Sequence, residues 1–272
     1  VLNHGTSIGG ARPKALITDG TKKYVAKFSS SNDLYSVVGA EFVAMRLAEL
    51  VGISVAPVQL IEAAGRQVLL VERFDRIAQS GGWTRKGMVS GLTILGLSEL
   101  NARYASYEDL ATEVRWNFTA STATLAELFK RLVFNILVGN TDDHARNHAA
   151  FWDGQRLSLT PAYDICPQAR TGREATQAML IRGSDRSSRI SSCLQAAHQF
   201  LLSEEQAISI IESLLDVIGE HFIAVAAEAC VSPKDRAILA GNQFLNPLST
   251  ECLTGDAGRL RLRAEEVRRE IM

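Results

Sequence analysis

Residues 140–164 read NTDDHARNHAAFWDGQRLSLTPAYD, and the fold turns on this stretch. A long amphipathic pattern ends at Gly139, so Asp142 and Asn147 fall in the loop that follows a helix. AAFWDGQRLSLT then reads as two short strands around Asp153-Gly154, a dipeptide favoured in tight hairpins. A hairpin returns the chain to near where it left, which predicts that Asp164 comes back beside Asp142 and Asn147. Oxygen-bearing side chains gathered in that way suit magnesium, a hard cation that takes one or two ligands from protein and leaves the rest to water and phosphates. Asp, Asn, Gly and Pro also cluster in ordinary turns, so the reading needs support from elsewhere in the chain.

At 272 residues and 46% hydrophobic, the chain can bury one large core or two lobes. No uninterrupted apolar run approaches membrane-spanning length and no secretory signal is visible. Cys166, Cys193, Cys230 and Cys252 lack the paired spacing of zinc or redox motifs, so the expected setting is a reducing cytoplasm with no membrane partner. The net charge of −1 gives no bulk attraction to nucleic acid.

Taken in order, residues 5–14 (GTSIGGARPK) place Gly9-Gly10 at the entrance of a hairpin that turns at Asp19-Gly20. Glycines there let backbone N–H groups approach an anion closely, and Lys14 closes the segment as a further candidate for nucleotide binding. On the second strand, VAKF, alternation sets Val25 and Lys27 on one face and Ala26 and Phe28 on the other. A lysine that shares a face with valine either lies at an edge or is aimed at a phosphate. SVVGAEFVAMRLAELVG then has apolar residues at helical spacing and stops at Gly52. Glu41, in mid-pattern, is the candidate partner for Lys27. APVQLIEA and QVLLVE form a second hairpin that completes a small antiparallel sheet. VERFDR leaves that sheet, with Glu72 to Phe74 as a hinge whose backbone could meet a nucleobase. Residues 77–87 read as a loop.

Beyond the loop the pattern becomes helical. Ser106-x-x-Asp109 and Thr124-x-x-Glu127 read as capping boxes, the second opening a helix that buries Leu125, Leu128, Phe129, Leu132, Val133, Ile136 and Leu137. That burial would fix the Asp142 loop. Ser203-x-x-Gln206 opens a long helix to about Ala229, and Ser232-Pro233 a shorter one ending near Gly241. The RLRLRAEEVRRE tail is a charged helix or a disordered end.

The order of these parts predicts an α+β, two-lobed fold like that of protein kinases: an antiparallel β-rich lobe over 1–76 and a helical lobe over 77–272. Asp-x-x-x-x-Asn is the spacing of the kinase catalytic loop, and V-A-I-K places its lysine much as VAKF does. Phosphoryl transfer needs mostly alignment and charge neutralisation. Lys27 would steady the α- and β-phosphates of ATP, Asn147 and Asp164 would hold Mg2+, and Asp142 would deprotonate the acceptor hydroxyl.

SIGGARPKA, VAKF, LAELVGI, LLVERFDR, FNILVGNTDDHARNHAAF and LTPAYDICP together closely resemble the HipA family of bacterial serine/threonine kinases, toxins of type II toxin–antitoxin modules. The resemblance covers roughly residues 5–240, a span over which several motifs match in order. It implies Mg-ATP as phosphate donor and phosphorylation of an aminoacyl-tRNA synthetase, the glutamyl enzyme being the family's usual example, with inhibition of translation. It also implies a small HipB-type DNA-binding antitoxin, through which any contact with DNA is indirect. Ser7, in the position of the family's Gly-loop serine, would be the autophosphorylation site. His144 falls within the family's Asp-x-His loop, where it would brace the loop beside the nucleotide.

There are departures. His-Arg-Asp of eukaryotic kinases is Asn140-Thr141-Asp142 here, and Asp-Phe-Gly is Asp164-Ile165-Cys166. Full-length relatives carry a subdomain before the Gly-loop, whereas only Val1 to Thr6 precede Ser7. Either the chain is a fragment, or a separate small protein supplies the missing part. Two alternatives stay open: a nucleotide-binding module without turnover, and a small-molecule kinase of the aminoglycoside type, which usually has His where Asn140 stands.

Overall fold

The computed structural model describes residues 12–29, 33, 35–170 and 174–272. Strands β1 (Lys14–Asp19), β2 (Lys22–Phe28), β3 (Val58–Ala63) and β4 (Arg66–Glu72) form one antiparallel sheet in the order β1-β2-β4-β3. Gly20, at φ 53°, makes the β1–β2 turn, and Ala64 and Gly65, at φ 52° and 71°, make the β3–β4 turn. The register sets Lys27 opposite Lys14 and Leu69, and Val25 opposite Leu16 and Val71. Paired residues share a face, so the sheet has two distinct sides. Ala15, Tyr24, Ala26, Val68 and Leu70 form a small cluster on one, while Leu69 and Val71 on the other join the main core.

Helix α1 (Val37–Leu50) starts where Ser36 Oγ accepts from Gly39 N. It ends in a Schellman motif, Gly52 N donating to Glu49 O and Ile53 N to Ala48 O. Most of its residues are buried, because the sheet covers one side and a long helix, α6 (Glu204–Glu228), covers the other. A helix enclosed this way is apolar nearly all round, which makes Glu41 conspicuous.

The helical part is built on α3 (Tyr107–Asn117) and α4 (Ser121–Leu137). The seven apolar residues expected inside α4 are all buried. The chain's second half adds α6, whose Ser203 and Gln206 form a complete capping box, and a last helix over 258–271 that packs on α6 through Leu260, Ala264, Val267 and Ile271. The arginine-rich tail is therefore a packed amphipathic helix.

Three local expectations are corrected. Residues 77–87 are no simple loop: β5 (Arg76–Gln79) and β6 (Gly82–Arg85) pair as a hairpin, and Lys23 Nζ lies 4.9 Å above the Trp83 ring. The helix predicted to start at Thr124 begins three residues earlier, at Ser121, leaving Thr124 inside it and freeing Glu127 to bind Ser54 N and Arg131. Between β8 (Ala149–Trp152) and β9 (Leu157–Leu159) the connection is longer than a two-residue turn. Asp153 Oδ1 folds it by accepting from Gln155 N and Arg156 N, and a third strand, β7 (Met88–Ser90), joins this sheet by pairing with β8. No helix among the described residues is long and apolar enough to cross a membrane.

Candidate functional site

A cleft of about 740 Å3 separates the face of the sheet that carries Lys27 from the loops after α4 and β9. Lys14, Lys27, Glu72, Phe74, His144, Asn147 and Asp164 all line it.

Lys27 projects from the middle of β2 and is only 6% exposed. Its Nζ pairs with Glu41 of α1 and, at 2.5 Å, with Asp164 Oδ1. Burial alone would lower the lysine's pKa, but the charges of Glu41 and Asp164 outweigh it and hold the ammonium above its ordinary value. Asp164 is pushed up by burial and down, more strongly, by Lys27, so it sits below the usual carboxylate range. Burial drives Glu41 the other way, against the opposing pull of Lys27. Cys166, two residues past Asp164, is raised chiefly by its burial.

Asp164 itself has φ 61°, the left-handed region that aspartate enters more readily than most residues. Such a backbone costs on the order of 1–3 kcal/mol unless its surroundings hold it. Here the carboxylate is held by Lys27, and Asn140 Nδ2 lies 3.5 Å from the Asp164 carbonyl.

The other wall is the loop after α4. That helix ends in a second Schellman motif: Gly139, at φ 72°, donates to Ile136 O, and Asn140 N donates to Asn135 O. Asn140 Nδ2 then donates to Asn135 Oδ1 at 2.9 Å, and Gln177 Nε2 to the Asn140 carbonyl at 3.1 Å. Asn147 Nδ2 donates to the Asp142 carbonyl at 3.2 Å, which leaves its Oδ1 as an acceptor in the cleft wall. Asp142 is exposed and is not among the cleft-lining residues.

Around the hinge, Glu72 takes Lys22 Nζ at 2.6 Å, and Phe74 meets Phe151 edge-on and Tyr163 at a tilt, with centroids 5.8 and 5.6 Å away. Asp75 is raised by burial but lowered more by Arg73 and Arg76, so its carboxyl stays below the usual range.

The structure thus joins Lys27, Glu41 and Asp164 directly and sets Lys14, Glu72, Phe74, His144 and Asn147 around the same cleft. Glu41 lies buried behind Lys27, and Asp142 is tethered through its backbone. Ser7, Gly9 and Gly10 lie outside the described residues. Among the described residues no group of three or more His, Cys, Asp or Glu is placed to hold a metal. One carboxylate and one amide oxygen nevertheless match magnesium's demand for few, hard protein ligands, so Asn147 and Asp164 fit that ion.

Sequence reasoning missed the inner side of the loop. Asp143 and His148 are both buried, with His148 Nε2 3.0 Å from Asp143 Oδ1 and Tyr107 OH donating to Asp143 Oδ2. The signal was present: Asp143 and His148 repeat, one residue on, the five-residue spacing of Asp142 and Asn147.

Known proteins share this chain's family and fold. The family model for the HipA-like C-terminal domain matches residues 6–222. The serine/threonine-protein kinase toxin HipA of Shewanella oneidensis is 28% identical over 187 residues, 58% of this chain and 42% of its own length. A protein of Sinorhizobium fredii, Y4mE, is 32% identical over 127 residues, 44% of this chain and 30% of its own. The chain therefore spans less than half the length of these relatives. Among solved structures, that of the Shewanella oneidensis HipA, HipB and operator DNA complex superposes with a TM-score of 0.68 at 20% identity, covering 97% of this chain and 67% of that one. The Helicobacter pylori proinflammatory kinase CtkA gives a TM-score of 0.55 at 14% identity, over 85% and 96% of the two chains. With a mixed α+β architecture, a cleft between sheet and helices, and a family match across most of its length, the chain belongs to the HipA-like kinase family.

Proposed function

We propose that this chain is the catalytic part of an ATP-dependent serine/threonine protein kinase, with its β-rich lobe in residues 1–76 and its helical lobe in 77–272. The observation that carries the reading is the contact between Lys27 and Asp164 across the cleft, with Glu41 behind the lysine and Asn147 in the wall. A buried, fully charged lysine offers a fixed positive point to the α- and β-phosphates. Asn147 and Asp164 would hold Mg2+, which supplies charge neutralisation on the transferring group when bound. Lys14, Gly9 and Gly10 would close over the phosphates, and Glu72, Phe74 and His144 would border the nucleotide.

In the reaction, the acceptor hydroxyl oxygen forms a bond to the γ-phosphorus while the bond to the ADP oxygen breaks. Asp142 takes the hydroxyl proton. Asp142 is exposed, as a residue that must meet a separate protein substrate should be. As the sequence resemblance implies, the acceptor in trans would be a translation protein of the aminoacyl-tRNA synthetase type, and the acceptor in cis Ser7. A HipB-like antitoxin would be the partner and the only route to DNA, and a small N-terminal-subdomain protein a second partner.

The test is the intact mass of the chain before and after incubation with Mg-ATP. A phosphate gained by the natural sequence and absent from Asp142→Ala supports the proposal; equal masses in both, with no phosphate on an added synthetase, end it. Because Asp142 does not line the cleft, a second reading is a nucleotide-binding module without turnover. Calorimetry separates the two: tight Mg-ATP binding with no transfer to either acceptor favours the module.

A further inference from the structure

The loop between Gly139 and Ala149 has two sides. Asp142 and Asn147 belong to the chemistry proposed above. Asp143 and His148, their immediate neighbours, face the core at 2% and 3% exposure. There a carboxylate and an imidazole meet a phenol: His148 Nε2 is 3.0 Å from Asp143 Oδ1, Tyr107 OH donates to Asp143 Oδ2, and the same hydroxyl lies 3.3 Å from His148 Nε2. Tyr107 is fully buried, and burial with the adjacent Asp143 charge keeps its phenol protonated, far above the usual range.

Burying a carboxylate is costly unless it is fully hydrogen-bonded. An apolar trio of the same volume would stabilise the fold at least as well, but it would not fix one orientation. A buried hydrogen-bonded network does fix one, and this one, in which both Asp143 oxygens are partnered while His148 Nδ1 has no partner among the described residues, ties the start of the loop to its end. The loop is also clamped from outside. Gly91, which opens the short helix α2 (Gly91–Ile94), donates its N–H to His148 O at 2.6 Å, and Leu92 N donates to Ala145 O at 3.2 Å. A Cβ on Gly91 would lie 2.6 Å from Ala145 O, too close for any residue but glycine without moving the loop.

We propose that Tyr107, Asp143 and His148 are positioning residues that set the separation of Asp142 and Asn147, so that the metal-binding and proton-accepting oxygens are held in register. This rests on the phosphotransferase reading of the same loop. Residues that orient metal ligands from behind typically change metal affinity or activity by about 10–100-fold when altered. A brace that merely supports folding would change stability alone.

The experiment compares the natural chain with Asp143→Asn, Tyr107→Phe and Asp164→Ala. Mn2+ affinity in the presence of a non-hydrolysable ATP analogue is read by electron paramagnetic resonance, and metal-free nucleotide affinity by calorimetry. The expected result is Mn2+ affinity at least about tenfold weaker in Asp143→Asn, unchanged metal-free nucleotide affinity, and loss of the metal in Asp164→Ala. Asp143→Asn with a lowered melting point but undiminished Mn2+ affinity, beside an Asp164→Ala that has lost it, overturns the inference and leaves the kinase reading standing. If the natural chain itself binds no Mn2+-nucleotide, the kinase reading fails and the inference falls with it. Should Asp143→Asn not fold, Tyr107→Phe decides by the same criterion, since it removes one hydroxyl and leaves the carboxylate with His148.

Discussion

At Lys27 a single side chain links a strand, a helix and a distant loop. Its ammonium has exchanged water for two carboxylates, so removing it leaves Glu41 buried with no counter-charge and forces it either to stay ionised at a cost or to take up a proton. Lys27→Met should destabilise the fold by about 3–5 kcal/mol, and adding Glu41→Leu should restore most of that loss, as urea titration would show. Neither variant should transfer phosphate. The pH dependence has a definite sign. Asp164 has a depressed folded pKa, so its contribution is complete above the ordinary aspartate value of about 3.9 and disappears as pH falls through the lower folded value. Lys27 is raised, so its share is complete below the ordinary lysine value of about 10.4 and is lost only as pH climbs through the higher folded one. The stability gap between the natural chain and Asp164→Asn should thus be flat from mildly acidic to mildly alkaline pH and close in strong acid. A gap that widens in acid would contradict the assigned ion pair.

Among elements, the end of α4 matters most for the site. Gly139 has a left-handed backbone and a would-be Cβ 2.7 Å from Gln243 O, so it caps the helix and lets residues 239–243 approach. Gly139→Ala should cost roughly 1–3 kcal/mol for the backbone alone, with a further loss from the clash, measured as a drop in the urea midpoint. The regular elements were legible where burial dictates pattern: α4 shows its buried stripe, and β1 to β4 show their short apolar runs and turn glycines. The β5–β6 hairpin was not. Its strands are short and mostly exposed, so no apolar alternation marks them, and Gly81-Gly82 looks like any loop. The start of α4 was misplaced because Thr124-x-x-Glu127 imitates a cap, whereas Glu127 serves Ser54 and Arg131 through contacts between segments far apart in sequence. Pairings of that kind, like Tyr107 with Asp143, leave no mark on local periodicity.

Across the whole molecule, α1 ties the two halves together by packing on the sheet with one face and on α6 with the other. The cleft therefore opens between the sheet and loops joined through one helix, and it is lined by residues as far apart in sequence as Lys27 and Asp164. Their meeting could be anticipated from the order of motifs, since a strand lysine, a helix glutamate and a metal-binding aspartate come together in protein kinases. The seat of Asp142, exposed beside the cleft, could not, because it depends on the inner brace. A ligand bound only by the folded chain stabilises it by RT ln(1 + [L]/Kd), about 2.7 kcal/mol at a hundredfold excess over Kd. Mg-ATP should accordingly raise the melting temperature of the natural chain and leave that of Lys27→Met almost unmoved. The most direct measurement is the initial rate of phosphate transfer from labelled Mg-ATP to protein for the natural chain, Asp142→Ala and Asp164→Ala under the same conditions. Measurable transfer in the natural chain, lowered by about 100-fold or more in each variant, is the predicted result. Equal rates in all three, or none in any, would contradict it.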